Sequence, residues 1–338
     1  MLAAVLRGVG ELAMQRRPRP VRPAGGLLVR VAACGVCASD VKMWRRGHPG
    51  LRLPRVLGHE VTGWVAAAAP SSGLRPGQAV QVAPGMACGR CPACQAGRHN
   101  LCPGVKVLGF SLDGGWAGYL AVPAAGLAVG AVNPLPPGLE PVTATLAEPL
   151  ACALNALEVA ELRPGQPVAV FGAGVVGRLA AWAAQRLGAG RVLLVETDPA
   201  RLRHLPVAGL DASAGFDPAA ARQRLGGQAQ VVIPACPDPR AVEWGAELLG
   251  PGGTLVLFSG LAARPELDLN QVHYRQLRLV GAYGCTSGQN RRALALLAAD
   301  PQTPAAWISH RLPLEQAEPG LRLAAGRALK VILIPSKE

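Results

Sequence analysis

Residues 27–33, LLVRVAA, alternate apolar and polar positions well enough to predict a strand. Up to about residue 150 similar short apolar runs are separated by Gly- and Pro-rich segments such as RPGQAVQVAPG, DGGWAGYLAVP and NPLPPGLEP. That pattern predicts a β-rich domain of short strands and loops. From about residue 155 the texture changes. PVAVFGAGVVGRLAAWAAQRLGAGRVLLVETD reads as strand, glycine turn, helix and strand, a βαβ unit. AQVVIPA, GTLVLFSG and LRLVGAYG are continuous apolar runs, as expected of strands buried on both faces of a parallel sheet. Near the end a helical stretch, GQNRRALALLAAD, precedes a closing strand, ALKVILIP. The expected fold class is α/β, a β-rich domain joined to a doubly wound parallel sheet.

Composition narrows the possibilities. At 338 residues two domains are the default, and 50% hydrophobic with 16% charged residues marks a globular chain. No apolar run approaches the ~18–20 residues that span a bilayer, and MLAAVLRGVGELAM breaks off before a signal peptide's apolar core would be complete. Arg16-Arg17 suggests a twin-Arg signal, but Arg22 and Arg30 interrupt the segment after it. A cytoplasmic protein without a membrane partner is expected. The net charge of +13 invites a nucleic-acid reading. However, the only lysines are Lys42, Lys106, Lys330 and Lys337, and the Arg, Gly, Pro and Ala content points to a GC-rich coding bias. The densest basic stretch, RRPRPVR, has no aromatic on which a base could stack. It reads as a solvated loop, and no nucleic-acid partner is expected.

Two sets of residues carry chemistry. In GAGVVG, Gly172, Gly174 and Gly177 follow a strand and open a helix, the context that gives G-x-G-x-x-G its meaning. Gly172 permits the tight turn, Gly174 a close approach of the pyrophosphate, and Gly177 close helix packing, with the amides around Val175 and Val176 facing the phosphates. Glu196 ends the next strand, 19 residues beyond Gly177, where a carboxylate accepts hydrogen bonds from the adenosine ribose. Arg201 and Arg203 lie nearby. Arg201 is expected at the cofactor, holding a ribose hydroxyl or partnering a 2′-phosphate, although Glu196 argues against an extra phosphate. Pro206 shortens the helix expected there. The second set is rich in metal-ligating types: CGVCASD (Cys34 to Asp40), GHE (Gly58 to Glu60), LAEPLAC with Glu148, and CGRCPACQAGRHNLC with Cys88, Cys91, Cys94 and Cys102. Cys, His and Glu suit zinc, and three protein ligands leave the open position that a catalytic zinc requires.

In the order and spacing of these motifs the chain resembles the zinc-dependent medium-chain dehydrogenases of the alcohol, sorbitol and threonine dehydrogenase superfamily, nearly end to end. The resemblance implies a GroES-like catalytic domain over residues 1–153, with a structural zinc lobe at about 86–104. A Rossmann domain over 154–286 and a return of 287–338 to the catalytic domain complete the expected layout. It implies that Cys37 and His59 hold catalytic zinc, that Glu60 is a ligand or the neighbour that exchanges with water, and that Glu148 is the carboxylate used by the polyol branch. Cys34 and Cys152 are then packing. Ser39 matches a relay hydroxyl, and Asp40 orients its surroundings. Lys42 stands where many relatives have a relay His, with His48 a possible substitute. Cys88, Cys91, Cys94 and Cys102 match the structural zinc set. Seven residues before the last cysteine do not fit a ferredoxin run, which needs three, and a disulfide pair suits a secreted chain. The implied activity is reversible oxidation of a secondary alcohol (polyol, sugar alcohol, cyclitol, aminocyclitol or amino alcohol), with a ketone or aldehyde reductase using the same site as the alternative. Two zinc ions per chain, NAD in preference to NADP by about a hundredfold, and a homodimer or homotetramer are expected. A zinc-bearing nucleic-acid-binding protein, the remote alternative, leaves the His-Glu pair, Glu148 and the glycine turn without a role.

Overall fold

The computed structural model describes residues 1–336. Two compact units are present: residues 1–151 together with the segment from Cys285 onward, and Cys152–Gly284.

The first unit is built on strand Leu27–Val36. This strand pairs antiparallel with Glu60–Ala68, Tyr119–Val122 and the closing strand Val331–Ile334, which in turn pairs parallel with His310–Pro313. Ala79–Val82 and Val132–Pro134 extend the sheet beyond Glu60–Ala68. Its inward residues, Val29, Val31, Val61, Val65, Val80 and Val82 among them, form one buried apolar cluster, so β-branched side chains fill the pleated face. A three-stranded sheet (Glu11–Arg16, Leu2–Gly8, Arg55–Val56) and a short ladder of Gly85–Met86 with Lys106–Val107 complete the unit.

The second unit holds six parallel strands in the spatial order Ala208–Asp211, Val192–Glu196, Val168–Phe171, Ala229–Pro234, Leu249–Leu257, Arg278–Gly281. The chain starts in the middle, winds to one edge, then returns and winds to the other, which is the doubly wound order. The switch falls at Val168–Phe171, and the Gly172 turn lies at its carboxyl end, where such folds bind ligands. Val168–Phe171 and Val192–Glu196 are buried along their whole length, as their unbroken apolar runs require. A 3-10 turn, Pro199–Leu202, takes the place of a longer helix ahead of Pro206.

No unbroken apolar run is of bilayer length, as expected, but one stretch interrupted by Thr143, Thr145, Glu148, Asn155 and Glu158 is apolar on average. The helical stretch Pro141–Val159 has the length and mean hydropathy of a bilayer-spanning segment. The folded chain buries 78% of that stretch and it carries Glu148 and Asn155, so its apolar character serves packing within the fold.

Candidate metal and dinucleotide sites

Cys37 sits at the N-terminus of helix Ala38–Arg46, directly after strand Leu27–Val36. Asp40, fully buried, ties that helix start together. Its Oδ2 accepts from the Cys37 amide at 2.9 Å, and its Oδ1 accepts from the Gly58 amide at 3.4 Å. The same Oδ1 lies 3.6 Å from His59 Nδ1, just beyond hydrogen-bond length. Burial opposes a charge on His59, but Asp40 and Cys37 outweigh it and raise the imidazole pKa well above its ordinary value. A carboxylate behind Nδ1 leaves Nε2 for a metal, the arrangement that fixes ligand tautomer and aim.

Glu60 begins the strand paired with Leu27–Val36, opposite Gly35. A Cβ on Gly35 would stand 1.6 Å from Glu60 Oε2, so only glycine leaves room for this carboxylate. Gly58 is equally constrained, with φ of 89° and the Trp116 ring 2.2 Å from where a Cβ would be. Lys330, 3% exposed, forms an ion pair with Glu60 and donates to the Val36 carbonyl at 3.1 Å. Burial works against the ammonium, but Glu60 and Cys37 raise its pKa above the ordinary value, so it stays charged. Sequence reading passed over Lys330. It lies in the quoted closing strand, but nothing local links it to a partner near the other end of the chain.

The ligating atoms of Cys37, His59 and Glu60 all lie within 4.8 Å of one another. A thiol, an imidazole and a carboxylate at that spacing fit zinc. Cys34 is fully buried, its thiol turned to the Gly35 carbonyl, and burial raises its pKa well above the ordinary value. Ser39 Oγ is buried and meets no hydrogen-bond partner among the described residues, which leaves its hydroxyl for a ligand. Lys42 is exposed, and His48 Nδ1 accepts from the Gly50 amide at 3.0 Å while its ring packs edge-on to Phe110, which also lies against His59.

Glu148 is buried but is not gathered into that trio. Its Oε1 lies 3.9 Å from the Cys285 thiol. Behind Cys285 runs a chain of buried amides that no sequence signal announced. Asn133 donates to Gln81 at 3.0 Å, Gln81 to Asn290 at 2.8 Å, and Asn290 to Cys285 Sγ at 3.2 Å. These three bonds run in one direction, toward the carboxylate, while Asn290 also donates to the Thr286 carbonyl at 2.9 Å.

The four-cysteine lobe is local. Cys91 precedes the short helix Pro92–Gln95, and Cys102 follows the turn His99–Leu101. The four sulfurs lie within 4.8 Å of one another, and Cys88 Sγ is 3.9 Å from Cys94 Sγ. That distance is far too long for a disulfide, whereas four thiolates at ~2.3 Å from a tetrahedral zinc stand about 3.8 Å apart. Backbone amides of Arg90 and Cys91 hold the Cys88 thiol down at about 6, while burial and the neighbouring thiols push Cys94 up to about 12. The donor set fits a closed structural zinc.

In the second unit Gly172 adopts φ of 102°, and a Cβ on Gly177 would stand 1.9 Å from the Gly172 carbonyl oxygen. Gly174 faces open space, with only Arg201 Nη1 within reach at 3.9 Å among the described residues. Val175 and Val176 start the following helix, so its first amides face the turn. Glu196 Oε2 accepts from the Ala173 amide at 2.8 Å, and its Oε1 from Thr197 at 2.7 Å and Asp198 at 3.0 Å. Besides the ribose role expected of it, this carboxylate therefore fixes the glycine turn. The Thr197 hydroxyl, donating to Oε1 at 3.3 Å, takes the last of its roughly four acceptor positions, the one a ribose hydroxyl would exchange with.

Comparison with known proteins agrees with this architecture. The alcohol dehydrogenase GroES-like domain family matches residues 23–132, and the zinc-binding dehydrogenase family matches residues 175–299. The chain is 34% identical to L-galactonate-5-dehydrogenase of Escherichia coli K12 over 90% of its own length and 89% of that protein's. It is 31% identical to D-xylulose reductase A of Aspergillus niger over 98% and 96%. Among solved structures, a protein from Sinorhizobium meliloti 1021 described as a zinc-binding dehydrogenase bound to NADP superposes with a TM-score of 0.91 at 32% identity, covering 99% of each chain. The alcohol dehydrogenase TADH from Thermus sp. ATN1 does so with 0.89 at 31%, covering 99% and 100%. With a GroES-like unit, a doubly wound unit and relatives of this identity across nearly its whole length, the chain belongs to the zinc-binding dehydrogenases of the alcohol dehydrogenase superfamily, and it is an enzyme.

Proposed function

We propose that this enzyme oxidises a secondary alcohol of the polyol or sugar-acid class, reversibly and with NAD as the preferred partner. The observation that carries the reading is the trio Cys37, His59 and Glu60 with ligating atoms inside 4.8 Å, beside a buried Ser39 hydroxyl that no described residue engages. L-galactonate-5-dehydrogenase and D-xylulose reductase A, by their names, act on polyhydroxylated carbon chains, and this supports the substrate class.

Cys37 and His59, with Glu60 or Glu148 supplying a carboxylate, would hold one zinc, and Cys88, Cys91, Cys94 and Cys102 a second. When bound, zinc supplies Lewis-acid polarisation of the alcohol oxygen, and the nicotinamide supplies the hydride acceptor. The chain's own groups do the rest. Asp40 aims His59, Lys330 neutralises Glu60, and the amide chain through Asn290 and Cys285 presents Glu148. Ser39 Oγ takes the alcohol proton and passes it outward. Lys42, where many relatives have a histidine, is exposed and leaves that exit to solvent. A homodimer or homotetramer is proposed from family membership.

Absorbance at 340 nm over a panel of polyols and aldonates, with NAD and NADP, tests the reading. Turnover with at least one vicinal diol and none with ethanol is expected. Activity on ethanol alone would overturn the substrate class. Elemental analysis should find two zinc ions per chain and no iron.

A further inference from the structure

Arg178 follows Gly177 on the helix that leaves the glycine turn, and it is 2% exposed. A buried cation ordinarily faces a carboxylate. The guanidinium of Arg178 instead donates to main-chain carbonyls: Nε to Ala173 at 3.0 Å, Nη1 to His204 at 3.0 Å, and Nη2 to Arg201 at 2.6 Å and Arg203 at 3.1 Å. Two segments are thereby fastened together, the glycine turn and the loop of residues 201–204. His204 holds φ of 52°, a left-handed conformation that a non-glycine residue keeps only when its surroundings impose it.

Glu196 grips the same residue by its other main-chain group. The Ala173 amide donates to Glu196, and the Ala173 carbonyl accepts from Arg178. Arg201, whose carbonyl Arg178 holds, carries its guanidinium to within 3.9 Å of a Cβ position on Gly174. Burial first, and then the Arg201 charge, lower the pKa of Arg178, but an arginine remains protonated throughout the working range. Around this turn stand one carboxylate and two guanidiniums.

We propose that Arg178 is a positioning residue that sets dinucleotide selectivity: by stapling the 201–204 loop to the glycine turn it holds the Arg201 guanidinium at Gly174 and makes the adenosine end tolerant of a 2′-phosphate. Glu196 alone would repel that phosphate by like charge. The fixed pair of guanidiniums reverses the local sign and narrows the preference for NAD. The inference rests on the reading of the turn as a dinucleotide site and deepens it.

Fluorescence titration of the purified enzyme with NADH and with NADPH, without an alcohol, reads the effect as binding. In the wild type both bind, NADH the more tightly but by only about tenfold, in place of the roughly hundredfold expected of Glu196 acting alone. Arg178→Met keeps most of the stem and removes the fork; it weakens NADPH by about tenfold or more and NADH by less than about threefold. Arg178→Lys keeps the charge without the fork and behaves like Arg178→Met, because the fork does the positioning. Arg201→Ala, at a half-buried position, gives the same selective loss and decides the matter if Arg178→Met does not fold. Equal weakening of both cofactors, no change in either, or full rescue by Arg178→Lys overturns the proposal, as does a wild type that binds NADH alone. A wild type that binds neither cofactor overturns the dinucleotide reading itself.

Discussion

The two candidate metal sites of the first unit are built in opposite ways. The four thiols of the lobe come from a fifteen-residue stretch, Cys88 to Cys102, and need only two short turns to converge. The Cys37 site draws on a helix start, the beginning of a strand and Lys330, the residue just before the closing strand, whose Nζ reaches Val36 across 294 residues of sequence. A local site can be organised largely by its metal, because bringing nearby residues together costs little loop-closure entropy. A dispersed site must be organised by the fold, and here the fold holds it through Asp40, Gly35 and the Lys330–Glu60 pair. The lobe should therefore contribute mainly to stability and the dispersed site mainly to turnover.

Substitutions can break that contrast. The largest effect is expected from His59→Ala or Cys37→Ala, which should reduce kcat/KM by about a thousandfold or more, some 4 kcal/mol of transition-state stabilisation. The melting temperature should move little and one zinc should remain per chain. Cys94→Ala should do the reverse, removing the lobe's zinc and about 5 kcal/mol of stability in denaturant titration. A fully stable but inactive Cys94→Ala would reverse the assigned roles.

Lys330→Met should lie between these two in kind. It leaves Glu60 buried without its counter-ion, with a stability loss of about 3–5 kcal/mol and a lower kcat/KM together. Restored stability in the double variant Lys330→Met/Glu60→Gln would sharpen the point. The smallest effect belongs to the amide chain. Asn290→Ala should cost about 1–3 kcal/mol, because Gln81 and Cys285 each lose a partner. If the chain also presents Glu148 to the alcohol, kcat should fall more than KM rises in steady-state kinetics.

Much of the fold was legible because it follows from periodicity. Continuous apolar runs are expected of strands buried on both faces. AQVVIPA and GTLVLFSG give largely buried parallel strands of one sheet, while LRLVGAYG gives the last strand in its order, Arg278–Gly281, which is mostly exposed. Hydropathy alone does not decide the setting of Pro141–Val159, because a core helix and a bilayer helix both bury apolar surface.

The sequence by itself determined the glycine turn and the four-cysteine spacing, since each is a short motif whose spacing is its geometry, while Cys37 and His59 are singled out by the family resemblance. Only the tertiary structure decided which carboxylate stands with Cys37 and His59, because Glu60 and Glu148 are equivalent as letters and differ in what packs around them. It also paired Lys330 with Glu60, ran the amide chain from Asn133 to Cys285, and buried Arg178 among main-chain carbonyls. These contacts join segments far apart in the chain. Their partners exist only once the strands and helices have packed, and no local pattern can encode which distant carbonyl or carboxylate a buried cation will meet.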